Sequence, residues 1–330
     1  MLNALLQLVL FSAKAFIIIL FILILLVGVI AIISRSKEKS TGRLTIKNIN
    51  KKYAAIKETL LHEMLAKKAF KKFLKERKIA DKENDIATLQ RSKKNVFVIH
   101  FTGDLKASAV AALREEITAI LNVATLQDEV VVCLESAGGM VHAYGLAAAQ
   151  LSRIKQRSIP LTVIVDKVAA SGGYMMACVA NKLIAAPFAI VGSIGVIVQL
   201  PNFHRLLKEK NIDFEQLTAG NYKRTLTIFG ENTPEGREKL HTEIEEIHVL
   251  FKNLIHENRP QLDIEKVATG EHWLAKQAIE LKLVDELKTS DDYLLEQSHY
   301  ANIYEICYHV KKSLGERFFS SVELFQQAMV

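Results

Sequence analysis

Apolar residues fall along this chain in three rhythms. From Ala15 to Ile33, "AFIIILFILILLVGVIAII" carries no charged or polar side chain. Its 19 residues, at a helical rise of about 1.5 Å each, nearly span a hydrocarbon layer roughly 30 Å thick, which predicts a transmembrane helix. A secretory signal peptide has a shorter apolar core of about 7–15 residues ending at a small-residue cleavage site. Here the run is longer and closes on "IISRSKEKS", so a retained anchor is the expectation. Between 50 and 94 the apolar positions thin out to Leu60, Leu61, Met64, Leu65, Phe70 and Phe73 among Lys, Glu and Ala. That spacing suits an amphipathic helix or stalk, whose lysine-rich face also suits lipid headgroups. From Asn95 a third rhythm begins. The runs "NVFVIHF", "EVVVCLE", "LTVIVD", "KLIAAP" and "IGVIVQL" read as strands, with helical patterns such as "AVAALREEITAILNVA" and "GLAAAQLSRIK" between several of them. Such alternation predicts an α/β domain with largely parallel strands.

Beyond about residue 232 the pattern turns mainly helical, opening on Thr233-Pro234, a cap followed by proline at the first helical position. The end, "GERFFSSVELFQQAMV", is amphipathic, and no internal repeat is visible. These shifts divide the chain into an anchor at 1–34, a basic helical connector at 35–94, an α/β domain at 95–290 and a helical tail at 291–330. The 330 residues supply ample material for a core.

The distribution of charge narrows the choice of partners. The net +7 would suit nucleic acid, but between Arg35 and Lys52 there are seven basic residues against the single acid Glu38. A basic cluster beside an apolar span meets anionic lipid most simply, and nucleic acid is dropped as a partner. By the positive-inside rule the same bias keeps the C-terminal bulk in the cytoplasm. Cys133, Cys178 and Cys307 form no spacing motif and predict neither a zinc site nor a disulfide framework.

Acyl transfer needs a nucleophile, a base and backbone donors aimed at the developing oxyanion. In "AASGGYMMA", Ser171 lies between a strand-like run and a small-residue helix. It reads either as a helix cap or as a nucleophile whose neighbour, Gly172, offers its N–H to an oxyanion. In "ESAGGMVHAYG", Gly138 and Gly139 lie between strand and helix, which suits a tight turn and an anion-binding turn equally. His142 follows that turn, without an evident orienting acid. "HTEIEEIH", "HEMLA" and "HENRP" all miss the H-E-x-x-H pattern of a metal hydrolase. In "TAGNYKRTLTIFGENTPEG", Lys223 is either a solvated side chain or a general base. A lysine serves as base only when burial or nearby positive charge brings its pKa from about 10.4 towards 7–8. Residue types alone leave these pairs of readings open.

Taken together, "FTGDLKAS", "ESAGGMVHAYGLAAAQL", "VDKVAASGGYMMACVA", "GSIGV", "TAGNYKRTLT" and "GEHWLAKQAIELKLVDEL", in this order behind an anchor and basic connector, resemble the signal peptide peptidase A family of serine peptidases, most closely its SohB branch. The resemblance implies a crotonase-like (ClpP-like) α/β fold and a Ser-Lys dyad, with Ser171 as nucleophile and Lys223 as general base and acid. The two are 52 residues apart, the separation expected in the family. It further implies Gly138 and Gly172 as the oxyanion-hole pair and Ser193 as the residue that orients the lysine. No metal or cofactor is required. One position departs from the family pattern: Ala137 stands where proline usually precedes the Gly-Gly turn, so the backbone of that turn is less preset.

The resemblance also implies substrates, namely cleaved signal peptides or other hydrophobic membrane-associated segments, and a homo-oligomer in which neighbouring subunits complete each dyad. It implies the bacterial inner membrane as the location. Signal peptide peptidase A itself is associated with the far side of the membrane, against the cytoplasmic placement that the basic flank favours. An acyl-CoA enzyme on the same fold and a catalytically inactive membrane scaffold are the competing readings.

Overall fold

The computed structural model describes residues 42–89 and 93–310, together with Lys14, residues 16–21, Leu23 and Ile24. Those few residues near the N-terminus are helical with exposed apolar side chains. The expected membrane span at 15–33 as a whole, and the amphipathic tail beyond 310, lie outside the described residues. No described helix is long and apolar enough to cross a membrane. The described residues from Ile46 to Cys307 form one compact unit, and those before Ile46 and after Cys307 belong to another.

In chain order the elements are β1 (Arg43–Asn48), α1 (Ile49–Met64), α2 (Lys67–Leu89), β2 (Asn95–Gly103), α3 (Val110–Leu121), β3 (Glu129–Ser136), α4 (Val141–Gln156), β4 (Leu161–Val165), β5 (Val168–Ala170) and α5 (Gly172–Ala177). There follow β6 (Lys182–Ala185), β7 (Ile190–Gly192), α6 (His204–Glu209), α7 (Pro234–Asn258), α8 (Ile264–Val267), β8 (His272–Leu274), α9 (Ala275–Ala278), β9 (Glu286–Leu287), α10 (Ser290–Gln297) and β10 (Asn302–His309). The sheet runs β1-β10-β2-β3-β4-β6-β9, and β5, β7 and β8 branch from β3. The pairings from β10 through β9 are parallel, as are β3 with β5 and β5 with β7, while β8 is antiparallel to β7.

The apolar runs are nearly unbroken because both faces of the sheet are covered. Alternate side chains point to opposite faces of a strand. In β2, Phe97, Ile99 and Phe101 enter the larger core, while Val96 and Val98 enter the smaller one. β3 repeats the pattern, with Val130, Val132 and Leu134 on one side and Val131 on the other. α3 covers the larger core through Val110, Leu113, Ile117 and Ile120, spaced at three, four and three residues as a buried helical stripe requires. The smaller core is closed by Ile49 and Tyr53 of α1 and by Tyr293 and Leu294 of α10.

Four of the five expected strands form where the pattern places them, and the largely parallel α/β sheet is as expected. The fifth, "IGVIVQL" at 194–200, does not form. The strand is β7 just before it, and positive φ at Gly192 (102°) and Ser193 (52°) turns the chain out of the extended path. Ile197 and Val198 are left exposed. The lysine-rich stretch is two helices, broken where Leu65 adopts an extended conformation. Residues 302–309, in the stretch read as a helical tail, instead form β10, which pairs in parallel with β2 from Asn302 opposite Asn95 to Glu305 opposite Val98. The cap at Thr233 forms as read: its hydroxyl accepts from the Gly236 N–H at 3.1 Å.

Candidate active site

The two glycine turns emerge together. β3 and β5 are parallel neighbours with Ser136 opposite Ala169, so the residues that follow each strand leave the same edge of the sheet. Gly138 has φ 93°. A Cβ placed on it would lie 2.7 Å from the Gly172 nitrogen and 2.8 Å from both Ala170 O and Ser171 Cβ. Only glycine lets this turn come so near to Ser171.

Ser171 has φ 51° and ψ −118°, and its side chain makes no capping hydrogen bond to α5. A capping serine has extended backbone and spends its oxygen on the N–H two or three residues on. Ser171 does neither. Its backbone is held instead by its N–H donating to Gly192 O at 2.8 Å and by its carbonyl accepting from Met175 N–H at 2.9 Å. A non-glycine residue in this region carries strain of about 1–3 kcal/mol, which the surrounding structure must hold. The half-buried hydroxyl is thus presented at a sharp strand-to-helix turn.

Among the described residues, the Gly172 N–H has no acceptor, and neither has that of Gly139. The Gly138 N–H is already engaged, donating to Ser136 Oγ at 3.1 Å. The far side of the turn is docked on the loop after β2, where Met140 N–H donates to Leu105 O at 2.9 Å. Asp104 shapes that loop by accepting from the Ser108 hydroxyl and N–H and from the Lys106 N–H. The Ser108 bonds hold its carboxyl below the usual aspartate range.

Ser193 stands one residue from Gly192, the acceptor of the Ser171 N–H, and is half-buried with its own N–H donating to Glu271 O at 2.6 Å. Trp273 lies against Gly192, where a Cβ would come within 2.8 Å of the indole. Lys223 is placed differently. It is exposed, its N–H donates to Gly220 O at 3.2 Å, and no hydrogen bond joins it to Ser171 within the chain. Neighbouring residues tie its loop to the start of α7: Lys239 Nζ sits 5.6 Å from the Tyr222 ring centre, and Gly236 packs against Thr225 O. His142 is exposed on the first turn of α4 and makes no hydrogen bond to Ser171. One chain therefore gathers Ser171, Gly138, Gly172 and the Gly192–Ser193 turn, while Lys223 is exposed and makes no hydrogen bond to Ser171.

Residues that the sequence did not single out hold the cluster in place. Tyr174 of α5 is fully buried and donates its hydroxyl to Leu283 O at 2.9 Å. Arg259, 1 % exposed, binds both carboxylate oxygens of Asp285, at 2.6 and 3.0 Å, and donates to Lys282 O at 2.8 Å. Burial works against the Asp285 carboxylate, but the bonds from Arg259 and the Leu183 N–H outweigh it and hold its carboxyl below the usual range. A cavity of about 600 Å³ opens at the other end of β2 and β3, lined by Asn95, Phe97, Asp128 and Tyr304 among others. It lies at the strands' N-terminal ends, whereas both glycine turns lie at the C-terminal ends, and the geometry around Ser171 is the better guide to the chemistry.

The family model for the N-terminal part of peptidase family S49 matches residues 3–151, and that for peptidase family S49 matches residues 153–303. A protein of Haemophilus influenzae described as "Probable protease SohB" is 48% identical over 310 residues, 91% of this chain and 88% of that protein. A "Probable protease SohB" of Buchnera aphidicola subsp. Acyrthosiphon pisum is 56% identical over 234 residues, 71% of this chain and 70% of its own. Among solved structures, a 1510-N membrane-bound stomatin-specific protease in complex with a substrate peptide aligns with TM-score 0.44 and 14% identity, over 70% of this chain and 98% of that one.

Proposed function

Because the chain belongs to peptidase family S49, we propose that it is a serine endopeptidase in which Ser171 attacks the peptide carbonyl and Lys223 of a neighbouring copy serves as base. The observation that carries this reading is the backbone of Ser171. It is held at φ 51° with its hydroxyl uncommitted, beside Gly138 and the free N–H of Gly172. That is an expensive conformation for a structural serine and a useful one for a nucleophile.

In the proposed reaction the neutral amine of Lys223 takes the Ser171 proton as Oγ bonds to the carbonyl carbon. The negative charge moves onto the carbonyl oxygen, where the Gly172 N–H and the Gly138–Gly139 turn stabilise it. The Gly139 N–H is the free donor of that turn, since the Gly138 N–H is turned towards Ser136. Collapse of the intermediate breaks the C–N bond, and Lys223 passes the proton to the departing amine. Water, deprotonated by the same lysine, then attacks the acyl-enzyme, and as the bond from the carbonyl carbon to Oγ breaks the lysine returns that proton to Ser171 and is neutral again. Ser193 orients the lysine so that its lone pair faces the serine.

The placement of Lys223 supports a base supplied between subunits, because its exposed loop makes no bond to its own Ser171. A homo-oligomer is supported by the apolar side chains exposed from Ile197 to Phe229, including Val198, Leu206, Phe214 and Leu217. The substrates are hydrophobic peptides and membrane-associated segments. The 15–33 segment anchors the enzyme in the inner membrane, with the exposed lysines of α1 and α2 against anionic lipid.

The test is subunit complementation. Ser171→Ala and Lys223→Ala each abolish cleavage of an internally quenched apolar peptide while the fold is kept. Oligomers assembled from a mixture of the two regain activity, because some sites then combine an intact serine with an intact lysine. Full activity in both single variants would remove the dyad. Two inactive variants that fail to complement would place the lysine in the same chain as its serine.

A further inference from the structure

Beneath the oxyanion turn runs a chain of hydrogen bonds with only one consistent direction. Gly138 N–H can only donate, and it does so to Ser136 Oγ at 3.1 Å. Ser136 Oγ lies 2.6 Å from Tyr144 Oη, and Tyr144 Oη lies 2.7 Å from the Asp104 carbonyl. A carbonyl can only accept, so the single phenol proton goes to Asp104 O. Ser136 must therefore donate to Tyr144, and every hydroxyl proton in the chain is assigned. Ser136 and Tyr144 are both buried, at 2% and 0% exposure, so water does not compete for these bonds. Burial, opposed by the Ser136 bond, keeps the phenol protonated.

The same tyrosine touches the other half of the site. A Cβ on Gly172 would lie 2.4 Å from Tyr144 Cγ, and one on Gly103 would lie 2.4 Å from Tyr144 Oη and 2.6 Å from Ser136 Oγ. Gly172 thus rests directly on the ring whose hydroxyl fixes the Gly138 peptide. With the Gly138 N–H turned inward to Ser136, the Gly139 N–H has no acceptor among the described residues and is available to substrate. One side chain sets both donors.

The geometry points to Tyr144, acting through Ser136, as the positioning residue of the oxyanion hole: its hydroxyl fixes the direction of the Gly138–Gly139 peptides and its ring fixes the height of Gly172. This rests on the peptidase reading above and adds to it a residue that never touches the substrate. Its effect falls on the transition state, because the peptide orientation matters only once charge has moved onto the carbonyl oxygen.

The test uses full-length protein, four variants of the hydrogen-bond chain and a Ser171→Ala background. Tyr144→Phe removes the hydroxyl and keeps the ring on Gly172. It lowers kcat by about tenfold to a hundredfold, as misplacement of a catalytic group does, and leaves KM within about twofold, as loss of an interaction made only in the transition state requires. A peptide aldehyde, whose serine adduct carries a tetrahedral oxyanion, loses affinity by the same factor. Binding of uncleaved peptide, measured in a Ser171→Ala background, does not change. Ser136→Ala gives the same loss, the Ser136→Ala/Tyr144→Phe double variant loses no more than either alone, and Ser136→Thr, which keeps a hydroxyl, restores most of the rate. Wild-type kcat in Tyr144→Phe, an equal loss of uncleaved-peptide affinity, or additive losses in the double variant would each overturn the assignment. Should near-UV circular dichroism show Tyr144→Phe unfolded, Ser136→Ala against Ser136→Thr decides by the same readings. Failure here is separable from failure of the peptidase reading: an active Ser171→Ala removes the nucleophile, whereas an inactive Ser171→Ala beside a fully active Tyr144→Phe removes only the positioning chain.

Discussion

Ser136 stands directly opposite Ala169 in the parallel pair β3–β5. From that register the chain needs only two more residues on each strand to bring Gly138 against Ser171 and Gly172. Residues more than thirty apart in sequence are brought together by strand pairing, so the rigid sheet places the two turns before side chains orient their donors.

Replacing Gly138 with alanine tests that closeness. The new Cβ would lie within 2.8 Å of three atoms of the Ala170–Gly172 segment, and φ 93° is strained for any residue with a side chain. The turn must move, and if it takes one donor with it the expected fall in kcat is about 10²–10³. Steady-state kinetics beside an unchanged far-ultraviolet circular dichroism spectrum is the check. A wild-type rate would mean that the turn contributes nothing to catalysis.

The Arg259–Asp285 pair predicts a pH-dependent stability. Asp285→Asn leaves the buried guanidinium without its counter-charge and costs about 3–5 kcal/mol, the usual loss on breaking a buried pair. Arg259 Nε already has no acceptor among the described residues, which leaves little room for rearrangement. Because the Asp285 carboxyl is held below its ordinary value of 3.8, its contribution is fully present above that value. It is lost as pH falls through the lower folded-state value. Denaturant melts of wild type and Asp285→Asn should differ by a constant amount from pH 8 to pH 5 and converge below about pH 4. A difference that grows on acidification would contradict the assignment.

Thiol reagents should leave activity intact. Burial pushes the Cys133 and Cys178 thiols up to about 12, so neither forms appreciable thiolate near neutral pH. Incubation of native protein with N-ethylmaleimide is expected to retain full peptide hydrolysis, while a fluorophosphonate abolishes it by reaction at Ser171. Parallel inactivation by both reagents would redirect attention to the cysteines.

Charges placed on the exposed apolar stretch after β7 should separate the subunits. Leu217 is 96% exposed and Ile197 75%, and a glutamate at either costs an isolated chain nothing in packing. In an assembly that buries them, each glutamate would be desolvated without a partner. Sedimentation velocity is expected to show Ile197→Glu and Leu217→Glu shifted to the single chain, with hydrolysis lost in proportion. A single chain that remains fully active would show that each subunit carries its own base.

Much of this was legible in residue order. The alternation of strand and helix from Asn95 onward anticipated β2, β3, β4 and β6, because two-sided burial writes itself as short β-branched runs. The Gly-Gly and Ser-Gly-Gly turns were visible as glycines at strand ends. What the pattern could not convey is register: nothing local in "ESAGG" or "AASGG" says that Ser136 pairs with Ala169. "IGVIVQL" misled for a related reason, since its apolar run pairs with no strand among the described residues. Tyr144 was hidden in plain sight, a hydroxyl on the buried face of α4, where only the positions of Ser136 and Asp104 give it a task. β10 was missed because "NIYEICYH" interleaves polar and apolar residues near a helical stretch, and its place beside β2 depends on distant pairing.

The exposed position of Lys223 has a bearing on safety. On the proposed reading the base for each serine belongs to another copy, so a freshly translated molecule passes other polypeptides without cutting them. Hydrolytic capacity would then appear only where copies crowd together, and its rate per molecule would fall on dilution. A cell could keep such a scissor sheathed merely by keeping it scarce.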